Sequence, residues 1–444
     1  MPARSEQPER TAEAAQPSFA EAFPVWLKIG LLSFGGPAGQ IATMHREYVD
    51  ERKWIDEQRY LHALNFCMLL PGPEAMQLAT YVGWKQHGIR GGLASGLLFV
   101  LPGALVMLVL AALYAAFGKL PIAEAVFLGI KAAVLAVVVE ALLRIARRGL
   151  KSNFDRLLAA AAFAAIFLLR IPYPLIVLAA VAIGFWRGRG AESARPAGTA
   201  PLDLATRPSA RRTLTTALVW LMVWIGPLAG IALIFGRDHV LARLGWFFSK
   251  LAVVTFGGAY AVLAYMAQDV VSAYGWLTAG QMMDGLGLAE TTPGPLILVT
   301  EFVGFLAAHQ AGGASPYVMG VLGAIVAVWA TFAPCFLWIF TGAPYVERLQ
   351  AEPRLKAALA GVMAAVVGVI MNLTVWFALN VLFGRVGETA IGPARLYIPE
   401  LATVSWPAVL LSALAFVLMF GLHRGMITTL GVCAGLALGW HYIG

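Results

Sequence analysis

Long apolar runs separated by short charged stretches set the pattern of the whole chain. After a polar stretch to about Ser18, Phe19–Thr43 is apolar but interrupted at Phe34-Gly-Gly-Pro37. A charged loop, His45–Trp54, leads to Arg59–Gln86, which is interrupted in turn at Pro71-Gly-Pro73. Unbroken runs follow at Gly92–Phe117, Ile122–Ile145, Phe154–Leu169 and Tyr173–Trp186, which makes six apolar elements. Arg187–Arg212, with Gly, Ala, Pro and six arginines, reads as a linker. Leu214–Phe235 is a further span, and six elements then recur: Leu244–Ala267, Gly280–His309, Tyr317–Thr341, Leu355–Phe383, Ala402–Leu422 and Met426 onward. Apolar runs near ~20 residues cross ~30 Å of hydrocarbon. The pattern predicts an all-α polytopic membrane protein.

The second set of six repeats the first. Thr291-Thr-Pro-Gly-Pro295 answers Leu69-Leu-Pro-Gly-Pro73 at a displacement of 222 residues. The same displacement relates Phe34-Gly35-Gly36 to Phe256-Gly257-Gly258, Lys28 to Lys250, Trp54 to Trp276 and His87 to His309. Beyond a ten-residue insertion it becomes 232, and Gly129-x-x-Ala132-Ala133-Val134 answers Gly361-x-x-Ala364-Ala365-Val366. Two homologous halves are therefore expected, residues 19–186 and 244–444. A polar tail (1–18), a cytoplasmic linker (187–213) and one linker span with its connector (214–243) complete the chain. Six elements plus one span is an odd number, so the second half enters the membrane from the opposite side, an inverted-topology repeat.

Charge adds orientation. The 444 residues are 60% hydrophobic and 13% charged, against about 25% charged for soluble chains. Arg144, Arg147, Arg148, Lys151 and Arg156 flank one loop, the linker holds six arginines, and Arg348, Arg354 and Lys356 mark a third loop. Alternation places all three in the cytoplasm with the N-terminus, and the C-terminus outside. Lys119, Arg170, Arg385 and Arg395 then lie outside. Arg46, Arg52, Lys53 and Arg59 fit only if the two interrupted elements are re-entrant hairpins; kinked full crossings are the alternative. Nothing in the net charge of +8 calls for nucleic acid, and Cys67, Cys335 and Cys433 form neither a disulfide framework nor a zinc site.

Proline is favoured in the first turn of a helix, so Pro37, Pro73 and Pro295 are expected to begin half-helices. Half-helix N-termini present free N–H groups and about half a positive charge, and near the midplane they form an anion site. Lys28 and Lys250 either attract the anion or snorkel to the interface. Glu74 and Glu290, next to the Pro-Gly-Pro breaks, are proton-coupling candidates, and Gln77 is a neutral donor for an oxyanion oxygen. Glu301, Lys131 and Glu140 are further intramembrane charges; Glu140 and Arg144 are spaced to pair on one helix.

Ser33-Phe-Gly-Gly-Pro37, Arg46-Glu-Tyr-Val-x-x-Arg-x-Trp54, Leu70-Pro-Gly-Pro-x-x-x-Gln-Leu-Ala79 and Gly83-Trp84 resemble the chromate ion transporter family. Thr255-Phe-Gly-Gly258 and Thr292-Pro-Gly-Pro295 resemble the second half of its two-domain members. The resemblance implies an inner-membrane exporter of chromate that confers chromate resistance, with sulfate as the structural analogue. Substrate-binding candidates on that basis are Ser33, Phe34, Gly35, Gly36, Pro37, Pro71, Gly72, Pro73 and Gln77. Their second-half counterparts are Thr255, Phe256, Gly257, Gly258, Pro293, Gly294 and Pro295, with the two lysines beside them. Ala259 replaces Pro37, Leu296 replaces Glu74 and Val299 replaces Gln77, so the halves are not expected to contribute equally. No cofactor is called for, and a homodimer is compatible with the sequence. Neither HExxH, a P-loop nor an acidic DxxD cluster occurs, which leaves an integral-membrane enzyme as the distant alternative to a chromate, sulfate or molybdate transporter.

Overall fold

The computed structural model describes residues 17–34, 36–188, 209–256, 259–313, 315–346, 352–392 and 394–443. Most of the tail and linker, and Gly35, Gly257 and Gly258 of the two Phe-Gly-Gly motifs, lie outside the described residues. The described residues of the chain are mostly helical. Five of its described helices are long and apolar enough to cross a bilayer: Glu74–Phe117, Pro121–Gly149, Ala210–Phe235, Pro316–Tyr345 and Pro353–Leu382. This is the helical membrane architecture expected, with one short β-hairpin that departs from an all-α fold.

The first half begins with α1 (Phe19–Leu32), started by a reciprocal cap in which Ser18 and Glu21 satisfy each other's backbone N–H groups. After the Phe-Gly-Gly break come α2 (Gly36–His45) and a π-helical turn (Arg46–Glu51). α3 (Glu57–Cys67) runs to the Pro-Gly-Pro break, and α4 (Glu74–Phe117) follows it. At ~1.5 Å per residue, 44 helical residues would span about 66 Å, twice the hydrocarbon thickness. α4 instead turns back on itself where His87 and Gly88 leave helical geometry, and Ser95 Oγ reaches Ala79 O at 2.8 Å. The half closes with α5 (Pro121–Gly149), α6 (Asn153–Phe167) and α7 (Tyr173–Arg187).

α8 (Ala210–Phe235) is the linker span; Trp224 is its one buried residue. It leans on the second half, where Trp220 stacks on Phe336 and meets Phe340 at a tilt. That half repeats the order: α9 (Val240–Val254), α10 (Ala259–Gln268), a π-helical turn (Asp269–Ala273) and α11 (Ala279–Thr291). A 3-10 turn (Leu296–Leu298) leads into α12 (Val299–Gln310), then α13 (Pro316–Gly342) and α14 (Pro353–Leu382). α15 (Trp406–Phe416) and α16 (Met426–Ile443) end it. These two π-helical turns stand at equivalent positions, and each accepts a backbone N–H from the Trp beyond it: Trp54 donates to Tyr48 O and Trp276 to Val270 O.

The halves are intertwined rather than side by side. α5 packs against α15 and α16 of the second half, and α14 packs against α6 and α7 of the first. The repeated Gly-x-x-Ala-Ala-Val motif makes both crossings. A Cβ on Gly129 would lie 2.3 Å from Cys433 O, and one on Gly361 would lie 2.7 Å from Ala180 O. Small residues let the backbones approach where no hydrophobic force drives helices together in lipid.

One element was not legible in the hydrophobic pattern. Between α14 and α15 lies an antiparallel hairpin of β1 (Val386–Ile391) and β2 (Ala394–Pro399). Glu388 holds Arg170 at 2.5 Å and Arg395 at 3.3 Å, tying this hairpin to the α6–α7 turn. At the opposite end of the helices Arg187 meets Asp155, Arg354 lies over Phe185, and Thr213 meets Tyr345. Glu140 and Arg144 pair along α5 as their spacing predicts.

Candidate functional site

The four breaks converge, and they do so through the backbone. Gly72 N–H of the first Pro-Gly-Pro donates to Thr255 O, beside the second Phe-Gly-Gly, at 2.8 Å. Gly294 N–H of the second Pro-Gly-Pro donates to Ser33 O, beside the first Phe-Gly-Gly, also at 2.8 Å. The two bonds are equivalent under the 222-residue displacement, so each half clasps the other with the same pair of positions. Ser33, Thr255, Gly72 and Gly294 are all buried.

Every break joins the carbonyl end of one helix to the N–H end of the next. The clasp caps the carbonyl ends: Ser33 O after α1 and Thr255 O after α9 each accept a glycine N–H. The N–H ends are treated differently. Pro73 and Pro295 stand at the cap positions of the following helices, one place before the first turn expected for them, whereas Pro37 is inside the first turn of α2. In α4 the first intrahelical bond is Gln77 N–H to Pro73 O, 3.1 Å, so the N–H groups of Glu74, Ala75 and Met76 precede the ladder. One carbonyl just past α1 and one just past α9 are thereby satisfied inside the protein, while the first N–H groups of α4 have no intrahelical acceptor.

Glycine is required for this arrangement. Gly36, Gly72 and Gly294 have φ of 70°, 118° and 88°, in the region that L side chains rarely adopt. Gly72 is also crowded: a Cβ there would lie 2.8 Å from Gln77 Nε2 and 3.2 Å from Cys335 Sγ. Around Gly36 space is open, and the nearest atom to a Cβ would be the Tyr260 hydroxyl at 4.0 Å.

Two glutamines of the first half brace the breaks. Gln77 Nε2 donates to Pro71 O at 2.7 Å, and its Oε1 is buried without a hydrogen-bond partner. Gln40, one turn into α2, donates to Gly294 O at 2.6 Å across the halves. Sequence reasoning passed over Gln40, although a buried glutamine facing Val262 in the repeat is the same signal that marks Gln77 against Val299. It also passed over Tyr260, whose hydroxyl donates to Glu290 Oε1 at 2.9 Å. Glu290 is buried in the last turn of α11, and its second oxygen has no hydrogen-bond partner. Glu74 sits half-buried at the first position of α4, and Glu301 is buried in the first turn of α12.

The lysines are engaged elsewhere. Lys28 Nζ lies 2.5 Å from buried Glu47, which Arg52 also approaches at 3.6 Å. That contact decides the path of the chain. With the helices in line, 19 residues at ~1.5 Å each would put Lys28 and Glu47 ~28 Å apart, beyond the reach of both side chains. The chain therefore doubles back at the Phe-Gly-Gly break. Lys250 lies over the rings of Phe247 and Tyr265, close to Asp269, the counterpart of Glu47. Lys28→Gln leaves buried Glu47 with Arg52 alone and is expected to lower stability, while the protein that reaches the membrane keeps its maximal transport rate within about twofold. Efflux from cells matched for membrane expression checks this; loss of most activity would return Lys28 to the substrate path.

Paired discontinuous helices with buried, clasped breaks in a polytopic bundle are an arrangement that membrane transporters use to build substrate sites. The family model described as chromate transporter matches residues 20–185 and again 242–440. This chain belongs to the chromate transporter family. It is 34% identical to a chromate transport protein of Pseudomonas aeruginosa over 87% of this chain and 88% of that one. A chromate transport protein of Cupriavidus metallidurans is 30% identical over 80% and 81% of the two chains. An uncharacterized transporter of Methanocaldococcus jannaschii is 27% identical over 82% and 86%. No solved structure matches the chain.

Proposed function

We propose that the protein exports chromate across the cytoplasmic membrane as a secondary transporter and so confers chromate resistance. The observation that carries this reading is the reciprocal clasp, Gly72 N–H to Thr255 O and Gly294 N–H to Ser33 O. It gathers half-helix N-termini from both halves; the charge of Arg144 is felt nearby at Glu290 and Tyr260, but Arg144 is itself paired with Glu140. A tetrahedral dianion is suited to such a site, because several N–H dipoles share its charge without a buried counter-ion. Ser33, Phe34, Gly36, Pro37, Pro71, Gly72, Pro73 and Gln77 surround it from one half. Thr255, Phe256, Pro293, Gly294 and Pro295 do so from the other.

The halves are read as inverted repeats, with hairpins at the breaks, an interior N-terminus and an exterior C-terminus. The grouping of the loops supports this: Arg170 and Arg395 share Glu388 at one end, while Arg187, Arg354 and Thr213 find their partners at the other. Reporter fusions after Arg212 and after Gly444 should report opposite sides of the membrane, and a shared side would sink the inverted repeat. A cysteine at Asp50 should be labelled from the cytoplasm.

Substrate identity is tested with everted vesicles from an expressing strain, which should accumulate chromate and lose that uptake to excess sulfate only in part. Equal or stronger uptake of sulfate would make chromate a passenger on a sulfate transporter.

A further inference from the structure

A cavity of about 1470 Å³ lies away from the four breaks, where the end of α4 and the start of α5 face α11, the end of α12 and the last two helices. On its wall Lys131 Nζ lies 3.1 Å from Asp284 Oδ1, and the Tyr114 hydroxyl donates to Asp284 Oδ2 at 2.8 Å. Both oxygens of Asp284 are thus engaged, and its side chain is 9% exposed, whereas Lys131 keeps 20% of its side chain open. The lysine is the member of the pair that a solute in the cavity can reach.

Packing alone gives no reason for this pair. Burying two charges costs desolvation that an apolar contact avoids. The other half is built differently: under the repeat displacements, Lys131 becomes Met363 and Tyr114 becomes Val346, while Asp284 becomes His62. Met363 cannot form an ion pair, so the Lys131–Asp284 pair belongs to one side, beside a cavity, in a protein read as moving a dianion from one side to the other.

We propose that this cavity is a second oxyanion site, in which Lys131 binds the anion and Asp284 is a tethered counter-ion competing for it. The ligand class is a tetrahedral dianion such as chromate or sulfate, and the proposal rests on the oxyanion-transport reading above. An arriving anion oxygen takes the place of Asp284 Oδ1 against the ammonium. When the anion leaves, the carboxylate returns, so Lys131 is never left as an unpaired buried charge. A resident competitor shortens the stay of the ligand, which suits a vestibule through which substrate passes. Tyr114 holds the carboxylate in position through the oxygen that Lys131 does not use.

The test reads occupancy of the cavity and does not depend on transport. Gln310 lines the cavity and is exposed, and the three native cysteines are buried, so Gln310→Cys offers one accessible thiol to a charged reagent. Sulfate, which does not oxidise thiols, is the probe, and the concentration that halves the modification rate is measured in purified full-length protein. Asp284→Asn keeps an acceptor for Tyr114 and removes the competing charge. It should lower the half-protecting concentration at least about tenfold, since a charge-assisted contact contributes ~1.5–3 kcal/mol. Lys131→Met/Asp284→Asn, neutral as a pair and carrying the methionine of the other half, should raise it at least about tenfold above the unsubstituted pair. An unchanged value in Asp284→Asn, or protection of the double variant like that of the native pair, would reduce the triad to a packing brace. Sulfate protection in a protein that fails to move chromate would keep this site and end the export reading instead.

Discussion

Gly72→Val is expected to abolish transport in a protein that still reaches the membrane. Three effects act together at this position. The backbone conformation at φ 118° is one that a β-branched residue avoids, and such strain costs on the order of 1–3 kcal/mol. The added Cβ meets Gln77 Nε2 and Cys335 Sγ at 2.8 and 3.2 Å, inside normal contact, so Gln77 is pushed off Pro71 O. Any relaxation of the chain also moves Gly72 N–H away from Thr255 O, opening one side of the clasp. Gly294→Val should behave alike, because φ there is 88° and a Cβ would lie 3.1 Å from Leu298 Cδ1 and 3.3 Å from Gly103 Cα. Gly36 separates conformation from crowding, since its surroundings are open. Gly36→Asn should retain activity that Gly36→Val loses, because Asn tolerates positive φ. Chromate efflux at matched membrane expression is the measurement. A native rate in Gly72→Val would end the proposal that these breaks form the substrate site.

Collapse of the membrane potential is expected to remove chromate accumulation by everted vesicles altogether. A potential of 100 mV contributes ~2.3 kcal/mol per charge, hence ~4.6 kcal/mol for a dianion. At ~1.4 kcal/mol per decade, that sustains a gradient of more than a thousandfold with no nucleotide-hydrolysing domain. Over a full cycle fixed protein charges make no net crossing, so the dianion moved without a co-transported ion contributes its whole charge. Accumulation that survives the ionophore while a pH gradient persists would instead assign coupling to a proton. Glu290, held by Tyr260 and with one oxygen unpartnered, and Glu74, at the start of α4, are then the carboxylates to neutralise.

The sequence by itself determined the class, the duplication and the positions of the breaks. Apolar run length follows from bilayer thickness, and a shared displacement through Phe-Gly-Gly and Pro-Gly-Pro follows from common descent of two halves. Glycine and proline act on their own backbone, so Gly36, Gly72 and Gly294 could be singled out without a fold. What those breaks do to one another was decided only in three dimensions. The clasp joins Gly72 to Thr255 and Gly294 to Ser33 through main-chain atoms, which every residue carries, so no residue type announces it. The partner of Lys28 was hidden for a related reason: Glu47 becomes its neighbour only once the chain doubles back. Lys131 offered no partner on its own helix, because Asp284 and Tyr114 come from α11 and α4. Local chemistry is written in the order of the residues, but pairing between distant residues depends on how the helices pack. In this protein that packing crosses from one half to the other, with α5 and α14 each lodged among the last helices of the opposite repeat.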